Sequence, residues 1–236
     1  MNFNLILLLV FLCLPWAVNA KGKAKIKVDT TPNLIDGVLT GTVELNYYNI
    51  NNDDPVNTLY VNPTIDYSAS NGWDFQLASY NIAVVGGGAQ NYQADTYFNI
   101  SKTIALPKYF LVTIGTQNGL AFDGNSKNLH NVDYGLLAYQ PNKGFNLHAG
   151  TYWANKALTT TTDYLGFTGG FSIEALPNFL TFTGDYFSGS NNVSGAMVNT
   201  WFRVLPTTQV YFGVGVPETS SGNEFYGTVG FSVSNH

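Results

Sequence analysis

From Thr40 onward, apolar and polar residues alternate in runs of roughly ten. The clearest runs lie between Asp163 and Val216. Leu165, Phe167, Gly169, Phe171 and Ile173 share one parity, and Tyr164, Gly166, Thr168 and Ser172 share the other. Leu180, Phe182 and Tyr186 alternate with Thr181, Thr183 and Asp185. Ala196, Val198, Phe202 and Val204 alternate with Asn199, Trp201 and Arg203, and Val210, Phe212, Val214 and Val216 with Tyr211, Gly213 and Gly215. A period of two marks a strand whose two faces meet different surroundings. The pattern predicts twelve strands, at about 40–50, 58–67, 73–83, 92–104, 109–117, 130–139, 144–154, 163–174, 178–187, 194–204, 208–216 and 224–233. Most have the length of a tilted strand that crosses a bilayer, roughly 9–11 residues.

The connections alternate too. Short links (SASNG, ALPK, QPNK, ALPN, LPT) take turns with mostly longer, polar ones (NNDDPVN, VVGGGAQN, NGLAFDGNSKNL, NKALTTTT, SGSNNV, PETSSGN). That is the signature of an up-and-down barrel with tight turns at one end and looser loops at the other. A Greek-key sandwich does not produce it. Pro107, Pro141, Pro177 and Pro206 mark four of the five tight links, where a fixed φ and a missing donor suit a turn. The fold predicted is all-β: an up-and-down antiparallel transmembrane barrel of about twelve strands, with ten as the fallback count. Two places fit badly. Pro63 falls inside the second strand and predicts a bulge or a shortened strand there. In the third strand the parity of Trp73, Phe75 and Leu77 flips by Tyr80 and Ile82, which predicts a bulge.

One parity is consistently apolar, as on the lipid side of a membrane barrel. It puts Val43, Leu45, Phe110, Val112, Ile114, Val132, Leu136, Phe145 and Leu147 outside. A charge facing lipid costs about 2–4 kcal/mol near the midplane, so the acids and the single arginine belong inside. The candidate pore-lining residues are Glu44, Asp66, Asp95, Asp133, His148, Asp185, Trp201 and Arg203. Asp74 joins the inner acids, and Tyr97, Tyr152, Tyr211 and Tyr226 join the inner aromatics. Tyr47, Tyr67, Trp73, Tyr109, Trp153 and Phe231, near strand ends, suit interfacial girdles. Asp185 and Arg203 share the inner face of adjacent strands, but Asp185 lies opposite about residue 196, so they do not pair directly.

Composition narrows the class. Charged residues are 11% of the chain, less than half the roughly 25% of soluble domains. Aromatics reach 15% and glycines number 24. Leu5–Leu14 is an apolar run, and Val18-Asn19-Ala20 supplies small residues for cleavage, so 1–20 reads as a signal peptide. Residues 21–39 carry four lysines and read as a basic periplasmic arm, with the barrel at 40–236. The only cysteine, Cys13, lies in the leader, which excludes disulfides and cysteine chemistry from the mature chain. No phosphate loop or metal-ligand spacing appears, so no cofactor is expected. The net charge of −5 and the lack of a basic patch argue against nucleic acid as a partner.

With these features the chain resembles the small, monomeric, twelve-stranded outer-membrane channels of Gram-negative bacteria, over about 40–233. The resemblance rests on alternation, loop lengths and composition. It implies residence in the bacterial outer membrane, with outer-membrane lipid, the barrel-assembly machinery and small hydrophilic solutes as partners. The last strand, FYGTVGFSV, looks like an assembly signal, although Phe231 is followed by further residues. A narrow passive channel is the expectation, and the inner acids favour cations. Two alternatives stay open. One is an outer-membrane hydrolase, for which His130 beside Ser126 and Asp123 is the candidate constellation. The other is a closed structural or adhesive barrel.

Overall fold

The computed structural model describes residues 37–48, 59–80, 82–85, 95–123, 126–158, 164–191, 194–219 and 225–235. The expected signal peptide and most of the basic arm lie outside them, as does most of the polar loops. The strands are β1 (Val38–Tyr48), β2 (Leu59–Ser68), β3 (Trp73–Tyr80), β4 (Ile82–Val85), β5 (Asp95–Ala105), β6 (Phe110–Asp123), β7 (Ser126–Asn142), β8 (Phe145–Ala154), β9 (Leu165–Leu176), β10 (Leu180–Phe187), β11 (Gly195–Leu205), β12 (Thr208–Pro217) and β13 (Tyr226–Ser234). Apart from one 3-10 turn at Lys156–Leu158, the described residues form no helix.

All pairings are antiparallel: consecutive strands pair from β5 to β13, β2 pairs with β1, β3 and β4, β3 pairs with β5, and β1 also pairs with β13. The sheet therefore closes on itself. Because β3 and β4 are successive parts of one strand, the barrel has twelve staves, as the alternation predicts. Closure leaves no edge, so every stave has a neighbour on each side for its peptide groups.

The two misfits in the sequence are one feature. β2 stays in continuous register with β1 through Pro63, from Val38↔Ser68 to Tyr47↔Leu59. On its other side the register runs to Thr64↔Ala78 and resumes at Val61↔Ile82. Three steps on β2 thus face four on its partner. Pro63 has no N–H to offer the ladder, and the bulge falls opposite it. The parity flip lies between Tyr80 and Ile82.

Two further expectations are corrected. The link at 118–129 is no loop: β6 runs to Asp123 and β7 starts at Ser126, with pairing continued to Asp123↔Ser126. Gly124-Asn125 between them is a two-residue hairpin signal. The second correction concerns the parity of β7. Val132 and Leu136 were expected outside, but they face inward. Val132 is buried with Tyr152 and Ala154, with Tyr134 and Phe187 packed against them. Leu129, Leu137 and Tyr139 take the outer face, with 61%, 50% and 38% of their surface exposed. The run LHNVDYGLLAY carries apolar residues on both parities, so alternation alone leaves the face of β7 undecided.

Elsewhere the faces are as expected. Ile114, Leu147, Leu165, Phe167, Phe182, Phe212 and Val229 are exposed outside. Thr40, Asn46, Asn62, Thr168, Asn199, Thr228 and Ser232 are buried inside. Among the expected girdle residues, Tyr67, Trp73 and Tyr109 stand outside near the tight turns, and Tyr47 and Trp153 near the loop end. Phe231 also faces out, between Val43 and Val210 on the neighbouring strands. Tight turns use left-handed backbone at Lys108, Tyr109, Asn178 and Gly72. The Asn178 N–H donates to the Glu174 carboxylate at 2.7 Å.

A cation on the outer face should be far worse than one on the inner face. Phe212→Arg is expected to cost about 2–4 kcal/mol in urea unfolding from lipid vesicles, and the inward Thr181→Arg less than about 1 kcal/mol.

Candidate functional site

The candidate site is the inner wall, built by the inward parity of twelve staves. Five of its inward tyrosines share one placement. Tyr211 is paired in register with Gly230, Tyr226 with Gly215, Tyr97 with Gly119, Tyr134 with Gly115 and Tyr152 with Gly166. In each pair a β-carbon on the glycine would collide with the ring of its partner. Each ring therefore lies over the glycine on the next strand, so that it covers the wall and projects less into the lumen. Such cross-strand aromatic–glycine pairs also restore the packing that a bare glycine lacks.

One polar cluster centres on Glu44. Its Oε1 accepts from Asn46 Nδ2 at 2.9 Å and Asn62 Nδ2 at 3.1 Å, and its Oε2 accepts from the Tyr211 hydroxyl at 2.6 Å. Tyr211, 3% exposed, stacks on Trp201 with ring centroids 4.0 Å apart. The Trp201 indole N–H donates to Thr183 Oγ1 at 3.1 Å. Four staves, β1, β2, β11 and β12, are thus tied through one carboxylate and one aromatic stack.

Asp185 does not use Arg203. It is paired in register with Met197, one residue from the expected position. Arg203 is six residues further along β11, about 20 Å at strand rise, and faces inward near the tight turns. Asp185 instead meets His148 across β9, with Nε2 to Oδ1 at 3.2 Å. Gly170 makes the contact feasible: a β-carbon there would stand 2.6 Å from Asp185 Oδ1 and 2.7 Å from His148 Cε1. Sequence spacing does not reveal this pair, because its members lie on non-adjacent strands and depend on the residue missing between them.

Asp66 faces inward and accepts from Gln76 Nε2 at 2.6 Å. Asp74 is held by Ser68, and Asp95 faces inward opposite Tyr80 in register. Asp133 is the exception. It pairs with Thr116 and Trp153 on the outer face and is exposed there. The flipped parity of β7 carries it outside. Glu174, which the sequence reading passed over although it shares the parity of Ser172, is an additional inward carboxylate. Among the described residues the inner wall carries Glu44, Asp66, Asp74, Asp95, Glu174 and Asp185 against Arg203.

His130 is buried inside and hydrogen-bonds through Nδ1 to the Tyr97 hydroxyl at 2.6 Å. The side chains of Ser126 and Asp123 lie outside the described set. Near the loop end, the Tyr152 hydroxyl donates to the Ser188 carbonyl and accepts from Asn191 Nδ2 at 2.8 Å. Asn191 is fully buried.

A closed antiparallel barrel, apolar outside and polar inside, is the class these features define. No protein-family model matches the chain, and neither does any curated protein sequence. Solved structures do resemble it. The KdgM porin superposes with a TM-score of 0.62 at 12% identity, over 84% of this chain and 99% of that one. The NanC porin gives 0.57 at 14% identity, over 82% and 98%. An outer membrane phospholipase A from Escherichia coli gives 0.54 at 10% identity, over 88% and 95%. The chain shares the fold of all three.

Removing the Tyr211 hydroxyl should unseat Glu44. Tyr211→Phe is expected to lower stability by about 1.5–3 kcal/mol, the range for a hydrogen bond to a charged group. Gly230→Val should lower it further, because the displaced ring also loses its stack on Trp201. Chemical unfolding monitored by fluorescence reads both, and a neutral Tyr211→Phe would show that Glu44 is held without it.

Proposed function

We propose that this protein is a narrow passive channel of the bacterial outer membrane for small hydrophilic solutes, with a preference for cations. The observation that carries the reading is the charge of the inner wall, six named carboxylates against one arginine among the described residues, inside a closed barrel with an apolar exterior. Carboxylates along a water-filled path attract cations and repel anions. Twelve strands lie between small filled barrels of about eight and open porins of about sixteen, which makes the passage narrow. The tyrosines laid over glycines leave room at the axis that upright rings would take. The likeness to the KdgM and NanC porins supports a channel. It supports nothing about the solute, since it is a likeness of fold.

The phospholipase likeness is of the same kind. A hydrolase needs a base beside a nucleophile, and the partner of His130 in the structure is Tyr97, so no observation of the site favours that reading.

Reversal potentials in planar bilayers under a KCl gradient test the proposal. The expected cation-to-anion permeability ratio is above one, and Asp185→Asn combined with Glu174→Gln should bring it toward one. A wild-type ratio below one contradicts the cation preference, and folded protein without any conductance contradicts the channel.

A further inference from the structure

Three buried oxygens on one stretch of the inner wall have no hydrogen-bond partner among the described residues: Asn46 Oδ1, Thr228 Oγ1 and Asn199 Oδ1. They belong to a single cross-strand row. Asn46 on β1 is in register with Thr228 on β13, Thr228 with Gly213 on β12, and Gly213 with Asn199 on β11. Gly213 draws the row together. A β-carbon there would stand 1.8 Å from Asn199 Oδ1, so the Asn199 amide extends over β12 toward β13. Neighbouring strands are about 4.8 Å apart, which gathers the three oxygens along one short recess. Rings close it on both sides. Tyr226, two residues before Thr228, lies over Gly215, and Tyr211 lies over Gly230, two residues after it. Asn46, Thr228 and Asn199 are accordingly only 4%, 2% and 7% exposed.

The donors around Glu44 fix which atoms face the recess. An ionised carboxylate only accepts, so Asn46 turns its Nδ2 to Glu44 at 2.9 Å and its oxygen the other way. The oxygens of Glu44 are taken up by Asn46, Asn62 and the Tyr211 hydroxyl. Its charge thus stands one amide behind the row. Buried acceptors without a donor are costly, and neutral amide and hydroxyl oxygens can instead take the place of a cation's hydration shell. Among the described residues no three His, Cys, Asp or Glu come together as metal ligands, so a transition metal lacks its usual donors. One carboxylate balances one positive charge. An organic ammonium is too bulky to reach groups that are more than nine-tenths buried.

We propose that Asn46, Thr228 and Asn199 bind one alkali-metal cation against the wall, with Glu44 balancing its charge. The proposal uses the aqueous passage inferred above for access to the recess, but its readout does not depend on conductance. The test is urea unfolding of the full chain in phosphatidylcholine vesicles, followed by tryptophan fluorescence, in sodium, potassium or choline chloride at equal ionic strength. Sodium or potassium should raise the unfolding midpoint as its concentration rises, and choline should not. At about ten times the dissociation constant the folded-to-unfolded ratio rises about tenfold. Thr228→Val removes the hydroxyl and keeps the shape, and Gly213→Ala displaces the Asn199 amide. Each should abolish the difference between salts, whatever it does to the midpoint in choline. Equal midpoints in all three salts, the outcome if only water meets these oxygens, overturn the proposal. So does an ion effect that survives both substitutions, since the ion then binds elsewhere. A larger shift from millimolar calcium than from sodium or potassium overturns it too, by assigning the recess to a divalent ion. Ion-specific stabilisation of a protein without conductance upholds the site and counts against the channel alone.

Discussion

In hydrocarbon neither a peptide group nor a charge can find water, and this one constraint shapes the molecule. A sheet satisfies it only by closing, so that the last strand pairs with the first. Here β13 and β1 do so over nine register pairs, from Thr40↔Ser234 to Tyr48↔Tyr226. Closure also fixes the meaning of strand parity. One set of residues meets lipid, and the other set meets the interior. Among the described residues, the strand carboxylates follow the inner set except Asp133 on β7. Even the awkward residue obeys: Pro63, unable to donate, sits where the neighbouring strand bulges, and the ladder is restored on either side.

The interior links an odd composition to a proposed function. A chain rich in both glycine and tyrosine is unusual for a soluble core. In this barrel the two residue types occupy matched positions on adjacent staves. Glycine supplies the recess and tyrosine fills it, so the wall is packed while bulk stays away from the axis. The polar clusters use the same principle. Gly170 opens the space through which His148 and Asp185 meet, and Gly230 seats the ring whose hydroxyl holds Glu44. Negative charge is thus held on the wall by hydrogen bonds, which is the basis of the proposed cation preference.

Much of this was legible in the sequence. Period-two alternation located twelve staves to within a few residues at most ends, and seven of the eight candidate lining residues face inward. The failures share a physical cause. Alternation reads a face only where the two parities differ, and residues 129–139 mix apolar and polar on both. Val132 and Leu136 were assigned to lipid because they are apolar, yet both face inward, Val132 packed with Tyr152 and Ala154 and Leu136 in register with Gly150. Asp133 was assigned to the lumen because it is charged, yet it stands on the outer face in register with Thr116 and Trp153. The His148–Asp185 pair was hidden for a different reason: it spans a strand and depends on an absent side chain. The long β6–β7 hairpin was missed because its polar residues read as a loop, although Gly124-Asn125 marked the turn.

The central claim is that β10 presents alternate residues to water and to lipid around an aqueous passage. Single cysteines at 181, 183 and 185, and at 182, 184 and 186, test it most directly in reconstituted protein treated with a membrane-impermeant charged thiol reagent. The account predicts rapid labelling and a step fall in conductance at the first three positions, with slow labelling and no conductance change at the others. Equal labelling of both sets, or protection of the inward set from the aqueous reagent, would contradict it.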